Sequence, residues 1–444
     1  EAGAPISSTK LRTAVGNHLS RLVPTSAIGE NVQRTLLQQL HNFEASTSNI
    51  WNSFPADTLA TLHEVDMEIL YAVALLQLSE RISNTDSNLG CATSLLGAET
   101  RRPQSDEGSK KLIVAGGFAG VRLDVVEQFD PSTQRWTTLP QLRSRRTECC
   151  ASSVDSGGLI VCGGYAGGSY DLNSCELLNM GDDGELRWTG MPAMGTRRRD
   201  AAAVTWQNCI VVLGGCSDQE GPLQLCEMFS AVSGQWVTLP PLLHARRGCS
   251  AVVMALARSD NENVVQDCIV VFGGVGKNEE FVSPVEVLRC HETASVTDVS
   301  SMSWEILVDM PKPLSHFAAV TVHRSSADNA ADTGDSVLII GGRSAESRFL
   351  REVTLFTPHL QRVWTTIAPL RVPRVACAAA VLDGTVYVCG GWPADGFSLK
   401  SVEMLQLCEV DFAGSTEEGK LGMWTFTAPM SVARGGCAAA VVEF

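Results

Sequence analysis

The hydrophobic positions of this 444-residue chain fall into a repeating order over its last three quarters. Six short apolar runs end in a glycine pair: Leu112–Gly117, Leu159–Gly164, Ile210–Gly215, Ile269–Gly274, Val337–Gly342 and Val386–Gly391. Such β-branched runs bounded by turn residues predict buried strands. Successive pairs are 47 to 68 residues apart, and one tryptophan follows each: Trp136, Trp188, Trp236, Trp304, Trp364 and Trp424. After each tryptophan comes a run of small residues, such as Ala202–Val204 and Cys437–Val442. Between glycines and tryptophan, five units place a glutamate two residues before a bulky apolar residue: Glu127, Glu176, Glu227, Glu286 and Glu403. The fifth unit has Thr354 there instead. Each unit therefore predicts four strands, and a period of this size signals a repeat architecture.

These diglycines, tryptophans and small-residue strands resemble the kelch repeat family over residues 111–444. The resemblance implies a mainly β fold, a six-bladed β-propeller with one four-stranded blade per repeat. The first unit lacks its small strand and the last unit ends on one, Cys437–Val442. That predicts closure of the ring, with the C-terminal strand innermost beside Leu112–Gly117. Ala, Ser and Cys suit the crowded axis, and glycine suits a strand end that needs positive φ or close backbone approach.

Residues 1–110 follow another pattern. Residues 30–45 and 57–81 lack glycine and proline, and Leu59, Leu62, Met67, Leu70, Val73 and Leu76 recur at helical spacing. At least two amphipathic helices are expected, with a polar linker over 82–110 and a loosely ordered lead-in over 1–25.

Composition narrows the function. With 49 acids against 34 bases and a net charge of −15, the chain does not suit nucleic acid, which needs clustered Lys and Arg. The longest apolar run, Ile69–Leu76, is too short to span a bilayer. The 15 cysteines include no CxxC and no zinc-type spacing. They read as reduced thiols filling compact core positions, and the protein as intracellular, most simply cytoplasmic. Cys149 and Cys150 read as two thiols at a strand start.

No catalytic or metal-binding constellation emerges, and no cofactor is expected. A copper site like that of galactose-oxidase-like relatives needs tyrosines that four in the whole chain supply poorly. The iron triad of specifier-type kelch proteins is absent, since no histidine follows an aspartate by four residues. A sugar site like that of sialate mutarotases needs Arg, Glu and His around the pore, which sequence leaves open. The segment Gly163–Gly168 lacks the following helix of a phosphate loop.

The resemblance places the loops after each diglycine and the loops entering each small strand on one face. That face is expected to bind a protein partner. Its post-diglycine loops carry Phe118, Arg122, Tyr165, Tyr170, Phe281, Arg343, Arg348, Phe349, Trp392, Phe397 and Lys400. Aromatics and arginines dominate binding hot spots. The entry loops carry Arg146, Arg198, Arg247, Arg374 and Arg434, with Asp200, Gly248, His316, Ala376 and Gly436 beside them. Two readings of these arginines stay open. They can be structural, bonding loop carbonyls, above all at Arg374 and Arg434. Alternatively, they form a basic rim.

Overall fold

The computed structural model describes residues 110–444 apart from 155–156, 169, 231–232, 258–264, 291–298, 325–333, 359–362, 395 and 408–421. The helices expected within 1–109 lie outside the described residues. No helix among the described residues is long and apolar enough to cross a membrane.

Among the described residues, six four-stranded antiparallel sheets account for nearly all the regular structure. We number them as blades I to VI from the diglycines at 116, 163, 214, 273, 341 and 390. Blade I joins the two ends of the array: Ala438–Val442 pairs with Lys111–Ala115, followed by Val126–Asp130 and Arg135–Leu139. The ring closes as its half-units predict, and every innermost strand among the described residues is paired. Blade III adds a two-stranded hairpin, Cys216–Ser217 with Gly221–Pro222.

The innermost strands border a central cavity of about 330 Å³ lined by Ala, Ser, Thr and Val, including Ala151, Ser152, Thr205, Val253 and Ala440. Larger side chains would collide there, which is why these strands are built from small residues. The second strands are buried on both faces, and Leu112, Ile113 and Val114 are fully enclosed. Each such side chain contributes about 1.5–3 kcal/mol by leaving water.

The first glycine of each pair serves the neighbouring blade. Gly116 has φ +64°, and a Cβ there would lie 2.7 Å from the Arg146 carbonyl of the next entry loop. Gly117 donates its N–H to that same carbonyl at 2.8 Å. A side chain would block the approach that joins blade I to blade II.

The tryptophans seal the seams. Trp188, Trp236 and Trp304 donate their indole N–H to the carbonyls of Pro140, Pro192 and Pro240 on the preceding blade, at 2.7–2.9 Å. Trp424 and Trp136 reach Ala368 and Ala428 in the same way. This role accounts for the tryptophan and the proline-ended turn in five of the six units.

The repeated arginines and glutamates form a second seam device. Arg146, Arg198, Arg246, Arg374 and Arg434 are fully buried. They pair with Glu176, Glu227, Glu286, Glu403 and Glu127 respectively. Each arginine also donates to the carbonyl of its blade's first glycine, as Arg146 does to Gly163 at 2.9 Å. Each glutamate accepts backbone N–H groups of the incoming connection, as Glu176 does from Arg143 at 2.7 Å and Ser144 at 3.2 Å. A buried charge is tolerated when it is paired and hydrogen-bonded in this way, and only the Nε of Arg198, Arg246 and Arg434 is left without a partner among these five guanidinium groups.

The seam between blades IV and V departs from this rule at two places. Leu314 replaces the arginine and Thr354 the glutamate, and the indole N–H of Trp364 has no partner. An aromatic cluster fills the seam instead. Phe272, Phe356 and Trp364 have ring centroids 4.5–6.4 Å apart, and Leu314 and Phe317 pack with them. Both charges are absent together, so neither is left buried alone.

Candidate functional site

The post-diglycine and entry loops meet on one face. In every blade, the residue after the second glycine bridges the residue after the buried arginine position: Phe118 with Gly435, Tyr165 with Thr147, Cys216 with Arg199, Val275 with Arg247, Arg343 with Ser315, and Trp392 with Val375.

One residue further into each entry loop, the chain turns around the axis. Glu148, Asp200, Gly248, His316, Ala376 and Gly436 all have φ between +51° and +61°. Their backbones form a closed ring of hydrogen bonds, each N–H donating to the carbonyl of the preceding blade at 2.7–2.9 Å. Glycine adopts this conformation freely, whereas other residues are strained in it. Blades IV and I use glycine, while blades II, III and V hold charged or titratable side chains there in spite of the strain.

Those three side chains converge at the mouth of the pore. His316 Nε2 lies 3.5 Å from Asp200 Oδ1. Burial alone would push the Asp200 carboxyl up, but His316, Arg247 and Arg199 outweigh it and hold it below the usual range. Glu148 goes the other way: burial and the charge of Asp200 push it up to about 7. Arg199 Nε is 3.6 Å from Glu148, but its Nη1 is already engaged by Asp171 at 2.5 Å and Asp218 at 2.7 Å. Sequence reasoning missed Glu148, although it occupies the same repeat position as Asp200 and His316.

Below the mouth the described lining of the cavity carries no titratable side chain. Ser152 and Thr205 share a hydrogen bond of 2.7 Å, and Thr321 donates to the Val253 carbonyl at 2.8 Å. The Glu148, Asp200 and His316 cluster is therefore confined to the mouth and does not continue down the cavity. Among the described residues no group of His, Cys, Asp and Glu is arranged to hold a metal ion. The described cysteines are free thiols. Burial pushes Cys149 up to about 12 and Cys150 well above its ordinary value, so this vicinal pair is kept in the thiol form.

Several residues expected on this face are there. The Arg122 guanidinium sits 4.5 Å above the Tyr165 ring, whose hydroxyl donates to the Gly168 carbonyl at 2.6 Å. Arg343 lies 5.9 Å from the half-buried Phe281 ring and donates to Ser315 Oγ at 3.1 Å. Trp392 is half-buried against Gly435 and Gly436, which leaves no room for a side chain on either glycine. Phe118 is half-buried, and its carbonyl accepts from Ser398 Oγ at 2.5 Å. Tyr170 and Phe397 are exposed at 67% and 73%, and Arg348 is exposed as well.

Two expectations about arginine need correction. Arg198 is not a surface residue: it is fully buried, with its guanidinium on Glu227 and the carbonyls of Gly214 and Leu225. The member of the buried series in blade IV is Arg246 and not Arg247. Arg247 stays at the surface, where its Nη2 donates to both oxygens of Glu279 at 2.7 and 2.8 Å. The series is a structural strap and no basic rim.

The kelch motif model matches residues 109–143, 197–243 and 373–409. Kelch-like protein 23 of Homo sapiens is 22% identical over 309 residues, covering 67% of this chain and 47% of that protein. The kelch repeat-containing protein kel-10 of Caenorhabditis elegans is 34% identical over 148 residues, 32% of this chain and 25% of its own length. The chain spans about half the length, or less, of the curated relatives it matches. The solved structure of YjhT is 14% identical, covering 73% of this chain and 99% of its own, with a TM-score of 0.47. By its motifs, its kelch-like relatives and its blades, residues 111–444 form a six-bladed kelch-repeat β-propeller.

Proposed function

We propose that the chain is a non-enzymatic interaction scaffold that binds a protein partner through the face built by its post-diglycine and entry loops. The observation that carries this reading is the composition of that face. Exposed Tyr170 and Phe397 and half-buried Tyr165, Phe281 and Trp392 share it with Arg122, Arg343 and Arg348. Aromatics exposed on strand-end loops are the residue types that anchor interfaces. Free thiols throughout the described core agree with an intracellular setting, and a scaffold of this kind would serve as a subunit of a larger complex. Alanine at Tyr165, Arg343 and Trp392 should abolish partner recovery from the native cell with the melting temperature retained. Unchanged recovery would overturn the face assignment.

A second reading is a sugar-binding or sugar-isomerising propeller of the sialate mutarotase type. It is favoured by one observation, the convergence of Glu148, Asp200 and His316 on the axis. Saturable thermal stabilisation by a reducing sugar or sialic acid, lost in Glu148→Gln, would select it over the scaffold.

A further inference from the structure

The flanking bases of the axial mouth are already engaged, Arg199 by Asp171 and Asp218 and Arg247 by Glu279. Glu148 is left with Arg199 Nε at 3.6 Å, and no hydrogen bond within the described residues reaches its carboxylate. A second, independent observation lies beside it. Thr147 is only 4% exposed, yet its hydroxyl has no hydrogen-bond partner. That oxygen is 2.7 Å from the position a side chain on Gly436 would take. Gly436 is the ring neighbour of Glu148, whose N–H donates to its carbonyl at 2.7 Å. The Trp392 ring edge (Cη2) lies 3.1 Å from the same position. Glu148 with no hydrogen bond on its carboxylate, Thr147 with an unpartnered buried hydroxyl and the Trp392 ring edge thus gather around Gly436 at the pore mouth.

We propose that this mouth receives a basic side chain, arginine or lysine, of the protein partner, with Glu148 and Asp200 as its acceptors and Trp392 against its aliphatic stem. The inference rests on the face assignment made above and names the chemistry that face selects. A guanidinium or ammonium group brings only donors, which the Glu148 carboxylate lacks and which Asp200, with only His316 Nε2 at 3.5 Å, can still accept. Its methylene stem packs on an aromatic surface while the charge reaches inward. An acidic side chain would instead meet Glu148 and Asp200 as like charges in a partly desolvated site, which is costly. The strained backbone at both residues fits the same account, because glycine would complete the ring at less conformational cost.

The test is selection of a random heptapeptide display library on the full-length chain. The expected result is a consensus with Arg or Lys at one fixed position. Affinity for that consensus should fall about tenfold or more in the Glu148→Gln/Asp200→Asn variant. Replacing the basic residue by citrulline or acetyl-lysine in the peptide should lose as much. If the double variant does not fold, the Glu148→Gln single variant carries the same comparison. An acidic or uncharged consensus, no enrichment, or a basic consensus indifferent to Glu148→Gln would overturn the proposal. A non-basic consensus that still weakens in Trp392→Ala would sink this inference and leave the face assignment standing. If no selected peptide responds to Trp392→Ala, the face assignment falls as well.

Discussion

Arg434 and Glu127, 307 residues apart in the chain, form the same buried ion pair that blades II, III, IV and VI each make within one repeat. Arg434 also donates to the carbonyls of Gly116 and Val125 at 3.0 and 2.9 Å. The pair therefore fastens the last connection to the first blade, beside the strand pairing of Ala438–Val442 with Lys111–Ala115.

Breaking one partner of that latch strands a charge in a dry site. Arg434→Leu or Glu127→Thr alone should cost about 3–5 kcal/mol in denaturant unfolding. Combined, they reproduce what Leu314 and Thr354 do in blade V, so the double variant should be more stable than the Arg434→Leu single. A strictly additive loss would refute the coupling.

The diglycines should respond to alanine according to what surrounds them. Gly116→Ala must hold a positive φ and push against the Arg146 carbonyl, so a loss of more than about 2 kcal/mol is expected. Gly384 has φ +71° and open space around it, so Gly384→Ala should cost only about 1 kcal/mol. Equal losses at the two sites would show that conformation alone, and no blade contact, sets the glycine requirement.

Glu148 makes stability depend on pH in a definite direction. Its carboxyl titrates at about 7 in the folded chain against 4.5 ordinarily, raised by burial and then by Asp200. Between those values the folded state holds a proton that the unfolded state has released. Its contribution is full below about 4.5 and is lost as pH rises through about 7. Arg199, Asp200, His316 and Asp171 are the charged groups facing it. Glu148→Gln should gain stability over the wild type progressively across that window, on the order of 2 kcal/mol at pH 8. A difference that is flat with pH would contradict the assignment.

The sequence carried the blades further than it carried the site. Diglycine, tryptophan and small-residue strands recur because each answers a constraint repeated at every seam, so their period exposes the ring and its closing strand. The Arg–Glu strap was half legible. Arg146 and Glu176 each recur, but they lie 30 residues apart in the chain, and periodicity alone does not say that two columns touch. In blade IV the doublet Arg246–Arg247 hides which arginine points inward, since only the turn at Gly248 settles the register. Glu148 stands in the same column as Asp200 and His316, and aligning that column strictly would have found it. What no spacing could reveal is burial: Arg198 and Arg199 are adjacent, yet the first is sealed in a blade and the second reaches the mouth.

The central claim is that one loop face carries the partner. Photo-crosslinking amino acids placed singly at Tyr170 and Phe397 on that face, and at Val265 at the far end of blade IV, test it in the intact chain. All three positions are more than half exposed, so access is comparable. The account predicts crosslinks to one common protein from Tyr170 and Phe397 and none to it from Val265. Crosslinks from Val265 with none from the other two would contradict it.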